Sequence, residues 1–264
     1  MYDTERYHDE GNENVVNCLY PKRDAIFKLI CFPWAGGSSN YFAKWGQTIH
    51  DSVEVHSIRL AGRESRWNEP FASDPDQLIE EIVCALLPVL QDKPFAFFGH
   101  SMGSYTALLT ALQLKNKHKL EPIHLFLSSA VIPREKNSQV IKLEHMAEEQ
   151  TKSFLVTFGG TPKDLIDKEF IQQVSPKLKA DGHIFQKYNF DSLPFLPTIS
   201  CDLSCFWGSE DIVKDMKGWK EITSGNLHAH VLPGDHFYFM ETSNENFIKD
   251  YITKCLELSM LVSV

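Results

Sequence analysis

Phe95-Ala96-Phe97-Phe98-Gly99-His100-Ser101-Met102-Gly103-Ser104-Tyr105-Thr106-Ala107-Leu108-Leu109 is the stretch whose reading decides the fold. An apolar run enters two glycines that flank a serine, and a helical pattern reaching Leu112 comes directly after. Strand, tight turn and helix are the setting in which G-x-S-x-G becomes a nucleophile elbow. A strand that turns into a helix within a few residues leaves no room for Cβ atoms beside the serine, which accounts for both glycines. Such a turn pushes the Ser101 hydroxyl out at the end of a sheet. The helix N-terminus aims free N–H groups at negative charge formed there. The competing reading is a Gly-flanked serine at an ordinary strand end.

Working outward, Ile26 to Phe32 is a short β-prone run stopped by Pro33. It feeds Pro33-Trp34-Ala35-Gly36-Gly37-Ser38-Ser39, whose small residues leave backbone N–H groups approachable. This suits either an oxyanion hole, with its second donor on the Met102 N–H, or a plain glycine turn. Val53 to Leu60 alternates as a second strand, and Ile123 to Ala130, Leu203 to Trp207 and a run holding His228 and His230 read as later ones. Leu78, Ile82, Leu86, Val89 and Leu90 make a helical stripe from Asp76 onward, with a kink expected at Pro88. Strands alternating with helices at this spacing imply βαβ units and a mostly parallel central sheet flanked by helices.

The late loops supply partners for Ser101. Gly208-Ser209-Glu210-Asp211 comes after a strand, where a triad carboxylate belongs. Asp211 is the choice and Glu210 the runner-up, because Asp202 lies too early and Asp215 too far into the next helix. His236 sits in Pro233-Gly234-Asp235-His236-Phe237-Tyr238-Phe239, between a glycine turn and aromatic residues able to fix it. His100 is a poor rival, since a residue adjacent to the nucleophile points away from it. The order Ser101, Asp211, His236 is that of an α/β-hydrolase fold.

Residues 133–190 read as helical without a strong strand. Gly159-Gly160-Thr161-Pro162 punctuates them, with Thr161 as N-cap and Pro162 at the first helical position. Met146, Phe154, Leu155, Phe158, Leu165, Ile166, Phe170, Ile171, Val174 and Phe185 are many apolar residues for a simple crossover. A helical lid insertion at about 133–190 is expected. A minority of these side chains, Phe154, Phe158 and Phe170 foremost, would line a ligand groove. Lys163, Lys168, Lys177 and Lys179 read as solvated helix faces or as contacts for an acidic partner. Arg63 and Arg66 either touch a phosphate-bearing substrate or, as such arginines more often do, fix loops to neighbouring carboxylates.

The 264 residues suffice for one large core, with residues 1–20 as a flexible tail and 21–264 as the domain. A net charge of -9 argues against a general nucleic-acid binder. The six cysteines form no C-x-x-C pair and read as reduced core residues. No secretory signal or membrane-spanning run is legible, so a cytosolic monomer is expected. No metal or nucleotide motif is present, and no cofactor is expected. The apolar end, Leu258 to Val264, is expected to pack back on the domain.

Phe32-Pro33-Trp34-Ala35-Gly36-Gly37, Gly62-Arg63-Glu64-Ser65-Arg66, Gly99-His100-Ser101-Met102-Gly103, Gly159-Gly160-Thr161-Pro162, Gly208-Ser209-Glu210-Asp211 and Gly234-Asp235-His236-Phe237 together resemble the type II thioesterases. The likeness runs from about Asn17 to Leu256 and is closer still to the medium-chain fatty acid synthase branch of that family. The chain departs at Ala61, where the family often has Pro, and at Asp235, where it often has a second Gly. The resemblance implies hydrolysis of an acyl thioester on the phosphopantetheine arm of an acyl carrier protein domain of fatty acid synthase. It also implies release of medium-chain acids, and backbone oxyanion donors at Ala35 and Met102. The alternatives are an editing thioesterase of polyketide or nonribosomal peptide synthases, a carboxylesterase, and an inert lipid-binding protein of hydrolase fold.

Overall fold

A computed structural model describes residues 14–131, 146–158, 160, 164, 166–188, 190 and 198–262. Its centre is one sheet of seven strands: β1 (Val16–Asn17), β2 (Phe27–Phe32), β3 (Val53–Ile58), β4 (Phe95–His100), β5 (His124–Ser128), β6 (Asp202–Gly208) and β7 (Leu227–Leu232). The spatial order is β1-β3-β2-β4-β5-β6-β7. Only β1 is antiparallel, on β3; every other pair is parallel. Strands buried on both faces favour apolar residues on both, which is why β2 and β4 are mostly apolar, with Lys28 in β2 the charged exception, paired with Asp92. Alternate residues serve opposite layers. Ile30, Phe32, Phe95 and Phe97 pack on one face, and Leu29, Cys31, Ala96 and Phe98 on the other.

Helices cover both faces. On the first lie α2 (Pro75–Leu86) and α3 (Met102–Gln113); on the second lie α1 (Ser39–Ala43) and α6 (Thr242–Val262). Asp74 caps α2 by accepting the Gln77 N–H at 2.8 Å, with Pro75 in the first turn. Leu78, Ile79, Ile82, Val83 and Leu86 form its buried stripe. Each such side chain stabilises the fold by about 1.5–3 kcal/mol relative to exposure. The helix stops at Leu86 instead of kinking at Pro88: Leu87 still has helical backbone (φ −50°, ψ −50°) and donates its N–H to Val83 O, but Pro88 has no N–H with which to continue the ladder. Between β5 and β6 stand α4 (Glu148–Phe158) and α5 (Lys168–Lys187). Gly159, Thr161, Pro162, Lys163 and Leu165 lie outside the described residues, as do 132–145.

Three expectations need correction. Ordered chain begins before residue 21: Val16 and Asn17 pair with Ile58 and Ser57, and Val15 is buried. Asn17 spends its amide on Ser39 Oγ (2.8 Å) and Asn40 Oδ1 (2.9 Å), so a polar residue is fixed by distant partners. The end of α6 does not pack back: Ile248, Ile252 and Leu256 take the core face, leaving Leu258 and Leu261 exposed. Of the cysteines, only Cys31 and Cys205 are buried, and Cys84 is exposed.

The chain passes from β2 sideways to β3, then returns to lay β4 on the other flank of β2. At such a reversal the loops leaving the two strands diverge and open a crevice at their carboxyl ends. The loop after β2 and the Ser101 turn after β4 both stand there.

Candidate active site

Ser101 has φ 53° and ψ −121°, a conformation that an L-residue holds only under constraint. Its N–H donates to Ser128 O at 2.8 Å, and its carbonyl accepts the Ser104 N–H at 3.0 Å. The glycines are sterically required. A Cβ on Gly99 would lie 2.4 Å from Gly103 O, and one on Gly103 would lie 2.0 Å from Phe32 O. Close approach of β4, the turn and the end of β2 thus brings the Ser101 and Met102 backbone next to the Trp34–Gly37 loop. All of these residues line one cavity.

His236 and Asp211 arrive on the loops after β7 and β6. His236 Nδ1 lies 2.9 Å from Asp211 Oδ1, and both residues are buried. Asp211 Oδ1 also accepts the Val213 N–H at 3.2 Å, while Oδ2 accepts the Ser129 hydroxyl at 2.5 Å. Burial alone would push this carboxyl up. The hydrogen bond and charge of His236, with Ser129 and Val213, hold it below the ordinary value. An ionised carboxylate only accepts, so Nδ1 carries a proton toward Asp211, and Nε2 is the nitrogen left to serve as a base. Glu210, the alternative acid, is exposed. Sequence reasoning missed Ser129. Its φ of 51° and its place after β5 turn its hydroxyl onto Asp211, and the only sequence trace is a run of small residues ending that strand.

His100 is fully buried and bonded through Nδ1 to Ser128 Oγ at 2.8 Å; Ser128 Oγ in turn meets the Tyr238 hydroxyl at 2.7 Å. Its ring is nevertheless 4.9 Å from that of His236. Burial, with His236 alongside, pushes its pKa well down, so it stays neutral. Phe158 from α4 stands edge-on to His236 at 5.0 Å, and Phe237 does so at 5.3 Å. The His236 ring is therefore held between the helical insertion and its own loop.

The cavity measures about 350 Å³. Ser101, Met102, Ser129 and His236 form one part of its wall, and Trp34, Ala35, Gly36 and Gly37 another. The remainder is largely apolar and includes Tyr105, Val131, Leu178 and Ile212. Phe154, Leu155, Phe158, Phe170, Val174 and Phe185 all line it. That is most of the apolar residues picked out in the insertion, not the expected minority, because the insertion covers the crevice more than it fills the core. Arg63 and Arg66 are buried and committed to carboxylates, Arg63 to Asp181 and Arg66 to Glu69 and Glu81. They fix loops and leave no free guanidinium for a phosphate.

Among the described residues, Cys18, Glu54 and His56 bring possible metal-ligating atoms within 4.8 Å of one another. Glu54 and His56 lie on β3, and Cys18 follows β1 alongside it. Glu54 is already engaged there by His56 (2.8 Å) and the Lys22 N–H (2.6 Å).

A nucleophile elbow at the reversal of a mostly parallel sheet, with an acid and a histidine on the last two strand loops, defines an α/β-hydrolase fold. The chain belongs to the thioesterase family, whose thioesterase domain matches residues 27–255. It is 58% identical over 252 residues, 95% of each chain, to the medium-chain S-acyl fatty acid synthase thioesterase of Rattus norvegicus. The crystal structure of human thioesterase 2 superposes with a TM-score of 0.69 at 50% identity, covering 89% of this chain and 98% of that one. The type II thioesterase BorB of the borrelidin biosynthetic cluster shares the fold, with a TM-score of 0.80 at 22% identity over 91% of this chain and 96% of its own. Among the described residues, no helix is long and apolar enough to cross a membrane.

Proposed function

We propose that this protein hydrolyses acyl thioesters carried on the phosphopantetheine arm of the acyl carrier protein domain of fatty acid synthase, releasing medium-chain acids. The observation that carries this reading is His236, held from behind by Asp211, lining one apolar cavity with a strained Ser101, in a chain 58% identical to a fatty acid synthase thioesterase. His236 Nε2 takes the Ser101 proton as Oγ attacks the thioester carbonyl. The Ala35 and Met102 N–H groups hold the oxyanion, and loss of one such donor costs about 3–4 kcal/mol in the transition state. Asp211 orients His236 and stabilises its imidazolium form. The C–S bond then breaks and His236 returns the proton to the departing sulfur. A thiol pKa of about 8.5 makes this an easy leaving group. Water, deprotonated by His236, cleaves the acyl-enzyme and frees the acid.

The helical insertion acts as the lid of this site, and its apolar residues suit a hydrocarbon chain. The carrier is the acyl-phosphopantetheine protein domain, and the working form is a cytosolic monomer needing no cofactor. The test is the product profile of a fatty acid synthase reaction with and without the protein, read by gas chromatography. Added protein shifts the acids from long to medium chain, and Ser101→Ala abolishes the shift. Hydrolysis of free acyl thioesters with no shift would keep the chemistry and refute the partner. Turnover retained by Ser101→Ala would remove the serine from the mechanism.

A further inference from the structure

The turn at Trp34–Gly37 is held by bonds that reach into the helical insertion. Gly37 N–H donates to Trp34 O at 2.9 Å. The Trp34 carbonyl and the Ala35 N–H belong to one planar trans peptide, so fixing the carbonyl fixes the opposite direction of the N–H. Gly37 O in turn accepts Arg63 Nη1 at 3.0 Å. The same guanidinium grips Asp181 with two bonds, 2.8 Å from Nη1 and 2.6 Å from Nη2. Asp181 Oδ2 also accepts the Gly36 N–H at 2.7 Å. Gly36 has φ +76°, and Leu178, one helical turn before Asp181, lies within van der Waals contact of any Cβ placed there. Two side chains of α5 therefore bear on the residue next to Ala35. Arg63 and Asp181 are 4% and 5% exposed, so neither can exchange its partner for water. Glu64 secures the far end of the loop, accepting from Ser38 Oγ (2.9 Å) and from Ser39 N–H (2.6 Å).

We propose that Asp181 is a positioning residue of the thioesterase reaction. Brought in by α5 and locked to Arg63, it sets the Trp34–Gly37 turn so that the Ala35 N–H faces the developing oxyanion. Docking of α5 and assembly of the oxyanion site are then one event. This rests on the roles proposed for Ser101 and Ala35.

The test compares Asp181→Asn and Arg63→Lys with the parent protein on a medium-chain acyl thioester. It also measures affinity for an alkylboronic acid, which adds to a serine Oγ as a tetrahedral anion, and for the free fatty acid. Removing an oxyanion donor costs about 10²–10³ in kcat, so misaiming one is expected to cost about 10–100-fold. The boronate should weaken by a similar factor, while KM and fatty-acid affinity stay within about threefold of the parent, since neither reads the oxyanion. A folded Asp181→Asn protein with parental kcat and boronate affinity overturns the proposal. So does a parallel loss of kcat, KM and fatty-acid binding, which marks a merely structural role. If both variants fail to fold, amide exchange in the parent decides: a Gly36 N–H as protected as the amides of α5 supports the lock, and fast exchange refutes it. A parent whose boronate binding survives Ser101→Ala would instead refute the Ser101 reading itself.

Discussion

Replacing Asp211 with asparagine separates two things the carboxylate does, and the local bonds determine which is lost. An amide presents one oxygen and one NH2 group. If the NH2 faced His236, the imidazole would have to accept at Nδ1 and carry its proton on Nε2, useless as a base; in a serine protease triad that outcome costs about 10⁴-fold. Here both the His236 Nδ1–H (2.9 Å) and the Val213 N–H (3.2 Å) need an acceptor at the Oδ1 position. At the Oδ2 position stands only the Ser129 hydroxyl, which can turn round to accept, with His236 O at 3.5 Å as an alternative acceptor for its proton. The amide should therefore seat with oxygen toward His236 and keep the productive tautomer. What remains lost is the negative charge beside the imidazolium, about 4 kcal/mol at roughly 4 Å and an effective dielectric constant near 20. At about 1.4 kcal/mol per decade this is a fall of about 10³ in kcat. The assay is steady-state turnover of an acyl thioester, with the His236 tautomer read by 15N NMR at about pH 8, above the ordinary imidazole range. Adding Ser129→Ala should strand the NH2, flip the amide and cost about a further tenfold, toward the full loss of a wrong tautomer. An Nε2–H tautomer in Asp211→Asn alone would refute the reasoning.

Three further outcomes are expected. Gly103→Ala places a Cβ 2.0 Å from Phe32 O and 2.7 Å from Pro33 O, both main chain, so it should destabilise by about 3 kcal/mol or more in a urea melt; a loss under about 0.5 kcal/mol would contradict the packing. Phe158→Ala removes the ring that stands on His236 and lines the cavity. It should raise KM for a medium-chain thioester about tenfold, roughly 1.4 kcal/mol, and leave KM for an acetyl thioester unchanged, whereas the lost support of His236 lowers kcat alike for both; equal effects on the two KM values would refute a chain-contacting role. Burial raises the Glu64 pKa, but hydrogen bonds from Ser39, Arg59 and Ser38 outweigh it and hold the group below its ordinary value. A depressed folded pKa contributes stability above the unfolded value of about 4.3, lost as pH falls through the folded one. The stability gap between parent and Glu64→Gln should thus narrow below about pH 4, and a gap that stays constant into strong acid would show that Glu64 titrates normally.

Strands β2 to β7, the two close-packed glycines beside Ser101, and the loops that bring Ser101 and His236 to one cavity were legible in the sequence. These depend on contiguous chemistry: strands show as apolar runs or as alternation along the chain, and a turn too tight for Cβ atoms must be glycine. Tertiary structure alone decided the rest. Val16–Asn17 became a strand because β3 offers an edge and Ser39 and Asn40 satisfy Asn17, none of which is local in the chain. Asp211 turns inward to meet His236 while its neighbour Glu210 stays exposed, a difference that nothing local in the chain distinguishes. Arg63 could have faced a ligand or a carboxylate. Only the docking of α5, which carries Asp181 to it across 118 positions, gave it a partner, because a buried ion pair is specified by where two distant segments meet and leaves no periodicity in either.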